Sequence, residues 1–329
     1  MKAIDMKDFG DADVLQLQDV ADPEVRPHDL LVRNRAAGVN RADLNQRRGA
    51  YGRADFGDST LMGLEIAGDV IAVGDQVQGY KVGDRVMGIV GGGGYAEIAR
   101  IDYRMAMPIP ASLDDVQAGA IPEVFVTAHE ALLHLGRLEP RETALVHAGA
   151  SGVGSAAIQL ARALGAKVFA TADGAKAARV REFGAELVID YKNEDYAEAV
   201  ARATGGRGVD VIVDFVGAPY LERNVRSLAD GGRLVQVGLM GGKSATLPMD
   251  RLLFGHLQIM GTVMKSRPPE VKQAMVRRFR ERWLDAFARG DLKPIVDSVF
   301  PLAQAADAHR RMEANQNVGK LVLAPPYRA

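Results

Sequence analysis

Residues Thr143 to Asp173 read TALVHAGASGVGSAAIQLARALGAKVFATAD. The first five, Thr143 to His147, form a short β-rich run that passes into a turn of tiny residues, Ala148 to Gly154. Val153, Ala157, Leu160, Ala161 and Leu164 then recur at helical spacing, and Val168 to Thr171 is a second short apolar run. Strand, glycine turn, helix, strand is the order that cradles a dinucleotide pyrophosphate. Backbone N–H groups at the helix start face the phosphates, and small side chains let them come close. Gly149-x-Ser151-x-x-Gly154 is a G-x-G-x-x-G turn with serine in the middle place, so Gly149, Ser151, Gly152, Val153 and Gly154 are candidate cofactor-binding residues.

A glycine turn can join any strand to any helix, so its surroundings decide the reading. Four further strand-like runs follow at α/β spacing: Glu186–Asp190, Val209–Val216, Gly232–Gly238 and Leu257–Gly261. Six strands with helical segments between them predict a doubly wound parallel sheet of order 3-2-1-4-5-6, with the dinucleotide lying across the carboxyl ends.

The chain has 329 residues, 47% of them hydrophobic, which suits a large core and two domains. A formal net charge of −1 calls for no nucleic-acid partner. The sequence has no cysteine, which removes disulfides, thiolate zinc sites and cysteine nucleophiles together. The N-terminal residues lack a signal-peptide core and no apolar run reaches 18 residues, so a soluble cytoplasmic protein with no membrane association is expected.

Outside the dinucleotide unit, residues 1–121 are β-rich and punctuated by glycine, with short runs such as Asp29–Arg33 and Ala67–Val73. The segment from Gly68 to Val86 alternates apolar residues with Gly-Asp pairs, as small β-barrels do. Gly91 to Gly94 reads as a flexible loop or as a close backbone approach to substrate or cofactor. Residues Leu113–Leu135 turn helical. Beyond Gly261, Val271, Met275, Phe279, Trp283 and Phe287 fall at four-residue steps among basic residues, an amphipathic helix whose basic side is a solvated face. Val318 to Leu323 reads as a last strand returning to the first domain. Three segments result: a catalytic domain (1–121), a dinucleotide-binding domain (122–262) and a segment completing the first (263–329).

Several stretches together resemble the medium-chain dehydrogenase/reductase superfamily, in its zinc-independent quinone oxidoreductase (zeta-crystallin-like) branch. They are AGVNRAD (Ala37–Asp43), GLEIAG (Gly63–Gly68), GDRV (Gly83–Val86), GYAE (Gly94–Glu97), AIPE (Ala120–Glu123) with Thr127-Ala128, His147–Gly154 and GKLVL (Gly319–Leu323). The resemblance implies an α/β protein: a GroES-like β-barrel catalytic domain plus a Rossmann nucleotide-binding domain, in subunits that usually form a homodimer. Zinc-dependent members carry Cys near position 40 and Gly-His-Glu where this chain has Gly63-Leu64-Glu65. Asn40 and Leu64 replace those ligands, and the six histidines show no H-x-x-x-H pair, so no metal site is expected. Without a Lewis acid, reduction of an electrophilic quinone or enone is favoured over alcohol oxidation.

By the same resemblance Asn40 and Tyr51 sit at the nicotinamide end of the cleft and hydrogen-bond the acceptor oxygen. Glu65 is a structural hydrogen-bond acceptor. Thr127, Val216, Gly238, Leu239 and Met240 border the cofactor, while Asn317 and Lys320 close over it. NADPH is the preferred cofactor, with Lys176 and Tyr191 beside the 2′-phosphate and Ala172 in the place where an NAD site carries its ribose carboxylate. Reading the second strand one residue longer puts Asp173 there instead and reverses the preference. An enone or enoyl reductase is the enzymatic alternative to a quinone reductase; a non-catalytic NADPH-binding protein of crystallin type is the other.

Overall fold

The structure is a computed structural model and describes residues 1–50 and 59–326. The chain divides into two compact units, Met1–Val126 with Arg267–Ala329, and Thr127–Ser266.

The first unit begins with an antiparallel pair, β1 (Lys2–Asp5) and β2 (Gln16–Asp19). Its main sheet is built on β3 (Asp29–Val39), an 11-residue strand long enough to hold three neighbours. β4 (Glu65–Val73), β5 (Arg85–Ile89), β6 (Ile98–Asp102) and β7 (Ala106–Pro108) follow, with β6 and β4 both antiparallel to β3. Glycine and Gly-Asp turns separate these strands, the signature that marks the segment as β in the sequence.

Gly91–Gly94 is not a flexible loop. Gly93 N–H donates to Leu61 O (3.0 Å) and Gly94 N–H to Gly63 O (3.1 Å), and Gly92 to Gly94 are buried. Gly92 has φ +129°, and a Cβ there would lie 2.1 Å from Ser59 O. The close approach foreseen for these glycines is thus to the chain's own backbone, where any side chain would collide.

The second unit is a six-stranded parallel sheet. Its strands are β8 (Thr143–Val146), β9 (Lys167–Ala172), β10 (Leu187–Asp190), β11 (Val209–Asp214), β12 (Leu228–Gln236) and β13 (Gln258–Gly261). Their spatial order is β10-β9-β8-β11-β12-β13, which is the expected 3-2-1-4-5-6. Every residue of β8 and β11 is buried, as central strands covered on both faces must be; even Asp210 and Asp214 of β11 are inside. The helix Gly152–Leu164 packs on β8 and β9 and ends at Gly165, whose φ of 89° allows the left-handed C-cap.

The last segment returns to the first unit. β14 (Val296–Pro301) and β15 (Lys320–Ala324) pair in parallel, and β15 runs antiparallel to β3, with Leu321 opposite Val39 and Leu323 opposite Ala37. One core therefore gathers Ile4, Val39, Leu44, Tyr95, Leu302, Leu321 and Leu323 from both ends of the chain. The amphipathic helix spans Pro269–Arg289 and buries Met275, Phe279, Trp283 and Phe287. Among the described residues no helix is long and apolar enough to cross a membrane.

Candidate active site

At the carboxyl end of β8 the chain turns through Ala148, whose φ of 50° lies in the left-handed region, into the helix Gly152–Leu164. Ser151 is its N-cap, and the Ser151 hydroxyl accepts the Gly154 N–H at 3.0 Å. That bond satisfies one first-turn donor and leaves the N–H groups of Gly152 and Val153 at the positive end of a 13-residue helix. Gly154 has to be glycine, because a Cβ there would stand 2.3 Å from Ala148 O and 2.8 Å from Gly149 Cα. The turn folds tightly onto itself: Gly149 N–H donates to Thr171 O (2.8 Å) and Ser151 N–H to Ala148 O (2.9 Å). A dinucleotide pyrophosphate fits this cradle.

The neighbouring strand ends carry the residues expected to distinguish the cofactors. β9 ends at Ala172, so Asp173 is the first residue beyond it. Asp190, the last residue of β10, is in register with Ala172, and Tyr191 N–H donates to Ala172 O at 3.3 Å. Ala172, Lys176 and Tyr191 are thereby gathered around two adjacent strand ends, with Tyr191 exposed and Lys176 half-buried. The Asp173 carboxylate lies 2.6 Å from Lys192 Nζ, an ion pair that spacing along the chain did not reveal.

The expected nicotinamide-side loops also meet. Met240 N–H donates to Phe215 O (3.1 Å), Gly241 N–H to Val216 O (2.7 Å), and Gly217 bridges to Gly242. Val216, Gly238, Leu239 and Met240 thus form one zipped pair of loops on which Leu239 and Met240 are exposed. Thr127 is half-buried on the helix Pro122–His129.

Beneath these loops lies a buried polar network that sequence reasoning missed. His147 Nε2 is 2.7 Å from Asn224 Oδ1, which also accepts the Tyr196 hydroxyl at 2.9 Å, so His147 donates there and its Nδ1 faces Thr171 Oγ1 at 3.0 Å. Burial lowers the His147 pKa and keeps the ring neutral. Asn224 Nδ2 donates in turn to Asp214, whose carboxylate accepts Val216 N–H (2.6 Å) and Gly217 N–H (3.2 Å). The ends of β8, β9 and β11 are tied together by this one chain of hydrogen bonds. His147 and Asp214 were visible in the sequence only as strand-end residues; what joins them is parallel pairing.

In the first unit, Asn40 precedes the helix Arg41–Arg47, and Asp43 returns to accept the Asn40 N–H at 2.8 Å. The Asn40 side chain turns instead to Glu65 and Lys320. Its Nδ2 donates to Glu65 Oε1 (2.8 Å) and its Oδ1 accepts from Lys320 Nζ (2.7 Å), which fixes the amide in one orientation. The second amide hydrogen makes only a 3.4 Å contact with Gly38 O. Glu65 Oε2 accepts the Glu123 N–H at 2.9 Å, and Lys320 Nζ lies 2.5 Å from Glu65 Oε1.

Lys320, expected to close over the cofactor, is instead held within the chain's own hydrogen bonds. It is 3% exposed, and its three N–H groups are taken by Val39 O, Asn40 Oδ1 and Glu65 Oε1. The reason is register: pairing Leu321 with Val39 sets Lys320 beside Asn40, and a buried ammonium must be neutralised where it lies. Asn317 is bound to Gly319 O at 2.8 Å. Tyr51, the other expected partner of the acceptor, lies outside the described residues. Among the described residues no group of three or more histidines, aspartates or glutamates is placed to hold a metal ion.

Residues 26–111 match the family described as "Alcohol dehydrogenase GroES-like domain", and residues 152–281 the family described as "Zinc-binding dehydrogenase". The quinone oxidoreductase of Rattus norvegicus is 34% identical over 327 residues, covering 98% of this chain and 97% of that protein. The chain belongs to the medium-chain dehydrogenase/reductase superfamily, in its quinone oxidoreductase branch. Solved structures of the superfamily agree. The Escherichia coli quinone oxidoreductase complexed with NADPH superposes with a TM-score of 0.89 at 29% identity, covering 99% of this chain and all of that one. The CurK enoyl reductase gives 0.86 at 25%, with 99% of each chain covered. The two units are accordingly a GroES-like domain and a Rossmann domain of a superfamily oxidoreductase.

Proposed function

We propose that this protein is an NADPH-dependent, zinc-independent quinone oxidoreductase. The observation that carries this reading is the Asn40–Glu65–Lys320 cluster: position 40 presents an amide, and the carboxylate beside it is neutralised by an ammonium. Such a set supplies hydrogen bonds, with its one carboxylate taken up by Lys320, which suits an acceptor that is already electrophilic.

The dinucleotide would be held by the Gly149–Gly154 turn, with Lys176 and Tyr191 toward its 2′-phosphate. When bound, it supplies the hydride. Glu65 and Lys320 hold the Asn40 amide so that its second hydrogen, engaged only at 3.4 Å, is the donor presented to the acceptor oxygen as charge develops there. Tyr51 is proposed as the companion donor. A steady-state screen of NADPH and NADH against quinones, enones and aldehydes tests the reading, with fastest turnover expected for NADPH and a quinone. Alcohol oxidation that depends on added zinc would refute it. Lys176→Ala should weaken NADPH about ten- to a hundredfold and leave NADH nearly unchanged, as loss of one charge-assisted phosphate contact requires.

The similarity to an enoyl reductase favours one second reading, hydride delivery to the alkene carbon of an enone. In that case Tyr51→Phe should slow enones more than quinones, because the enolate depends more on a donor to its oxygen. We also propose a cytoplasmic homodimer. Support comes from β13, an edge strand with Gln258 and Ile259 exposed, next to exposed Met249, Leu253 and Phe254. Sedimentation at the monomer mass over micromolar concentrations would overturn the dimer.

A further inference from the structure

Parallel pairing of β9 and β10 brings Asp173 and Lys192 out of the sheet side by side. Each side chain is fixed from below. Asp173 Oδ1 accepts the Ala175 N–H at 3.1 Å, while its Oδ2 is 2.6 Å from Lys192 Nζ. The backbone of Lys192 is anchored by its own N–H to Asp190 Oδ1 (3.1 Å), and Asn193 Nδ2 holds the other oxygen of Asp190 at 2.7 Å. Asp173 and Lys192 are 30% and 55% exposed, and an ion pair so open to water adds little to the stability of a fold.

Its location gives it a different importance. A carboxylate at the end of the second strand accepts the ribose 2′-hydroxyl of NAD, and it repels a 2′-phosphate. Asp173 follows that strand end directly, whereas Lys176 and Tyr191 are the residues proposed above for the 2′-phosphate. The hydrogen bond from Lys192 holds the Asp173 carboxyl below the usual carboxylate range, and Asp173 raises Lys192 in return, so both stay charged near neutral pH.

We propose that Asp173 and Lys192 are a matched pair that sets the dinucleotide preference. Lys192 cancels the Asp173 carboxylate at the end of β9 and thereby admits a 2′-phosphorylated cofactor; without it, Asp173 becomes a carboxylate of the NAD type. The proposal rests on the dinucleotide reading above and adds to it a second, indirect determinant, distinct from phosphate binding by Lys176.

Isothermal titration of NADP⁺ and NAD⁺ into the parent, Lys192→Gln, Asp173→Asn and the double variant tests it by binding alone. Lys192→Gln should weaken NADP⁺ about tenfold or more and leave NAD⁺ unchanged or tighter, since an uncovered carboxylate meets only the phosphate. In the Asp173→Asn background the same substitution should cost NADP⁺ at most about threefold, because the carboxylate that Lys192 pairs with is gone. An equal loss in both backgrounds makes Lys192 an independent phosphate ligand and overturns the pairing; so does no loss in either. Failure of all four proteins to bind either dinucleotide overturns the dinucleotide reading itself, and the pairing with it.

Discussion

Replacing Lys320 with methionine should damage the fold of the first unit far more than it damages cofactor binding. The substitution removes an ammonium whose three hydrogens all have partners, and leaves the Glu65 carboxylate, with 0% exposure, facing an apolar side chain. Breaking a buried ion pair from one side costs about 3–5 kcal/mol, since the surviving charge is neither paired nor solvated. For a unit of this size each kcal/mol lowers the melting temperature by about 2–4 °C, so Lys320→Met should lower it by roughly 6–20 °C. Adding Glu65→Gln to Lys320→Met removes the orphan charge. The new amide oxygen can keep the bond from the Glu123 N–H, and its N–H can donate to Asn40 Oδ1 once the Asn40 amide, released from Lys320, turns over. The double variant should therefore melt well above Lys320→Met, with a coupling of about 2 kcal/mol or more between the two positions. Melting followed by circular dichroism, with NADPH titration of each folded variant, provides the measurement. A Lys320→Met protein that melts like the parent yet binds NADPH weakly would refute the reasoning and restore Lys320 to a place over the cofactor.

Gly154→Ala should lower NADPH affinity about tenfold or more while leaving the sheet intact, because a Cβ 2.3 Å from Ala148 O forces the turn open; unchanged fluorescence enhancement of bound NADPH would contradict this. His309, whose pKa is pushed down to about 3 by burial and then by Arg47, gives stability a pH dependence. The folded state refuses a proton that the unfolded chain accepts below the ordinary value of 6.5, so this contribution is complete above pH 6.5 and falls by at most about 1.4 kcal/mol per unit toward pH 3. Urea titrations at stepped pH should show that slope, and His309→Gln should flatten it; an identical profile in the variant removes His309 as the cause. Elemental analysis of the purified protein should find zinc far below one per chain, and a chelator should leave turnover unchanged. Stoichiometric zinc with chelator-sensitive activity would falsify the metal-free reading.

The sequence by itself determined the Rossmann unit. A tight glycine turn, a 3.6-residue period and short β-rich runs are local properties, and their order along the chain implies parallel pairing and hence the 3-2-1-4-5-6 sheet. It also located the tight turn proposed to hold the pyrophosphate, since Gly149, Ser151 and Gly154 shape the backbone locally, through neighbours in the chain. The absence of cysteine and the presence of Asn40 and Leu64 needed no structure at all. Tertiary structure decided whatever depends on partners far away in the chain. Lys320 reads as a residue of the last strand that closes over the cofactor until the Leu321–Val39 register sets it beside Asn40 and Glu65, 280 and 255 residues away. His147, Asn224 and Asp214 become one network only when β8 and β11 pair, and Gly91–Gly94 turns from a loop into packed backbone only against Ser59 to Gly63. The same holds for Asp173, whose carboxylate the sequence leaves open to two cofactors. What meets it is Lys192, 19 residues on, and the Ala172–Asp190 register brings the two together. Buried or crowded polar groups must be satisfied, and the partner that satisfies them is chosen by strand register, a property of the folded chain that no local pattern carries.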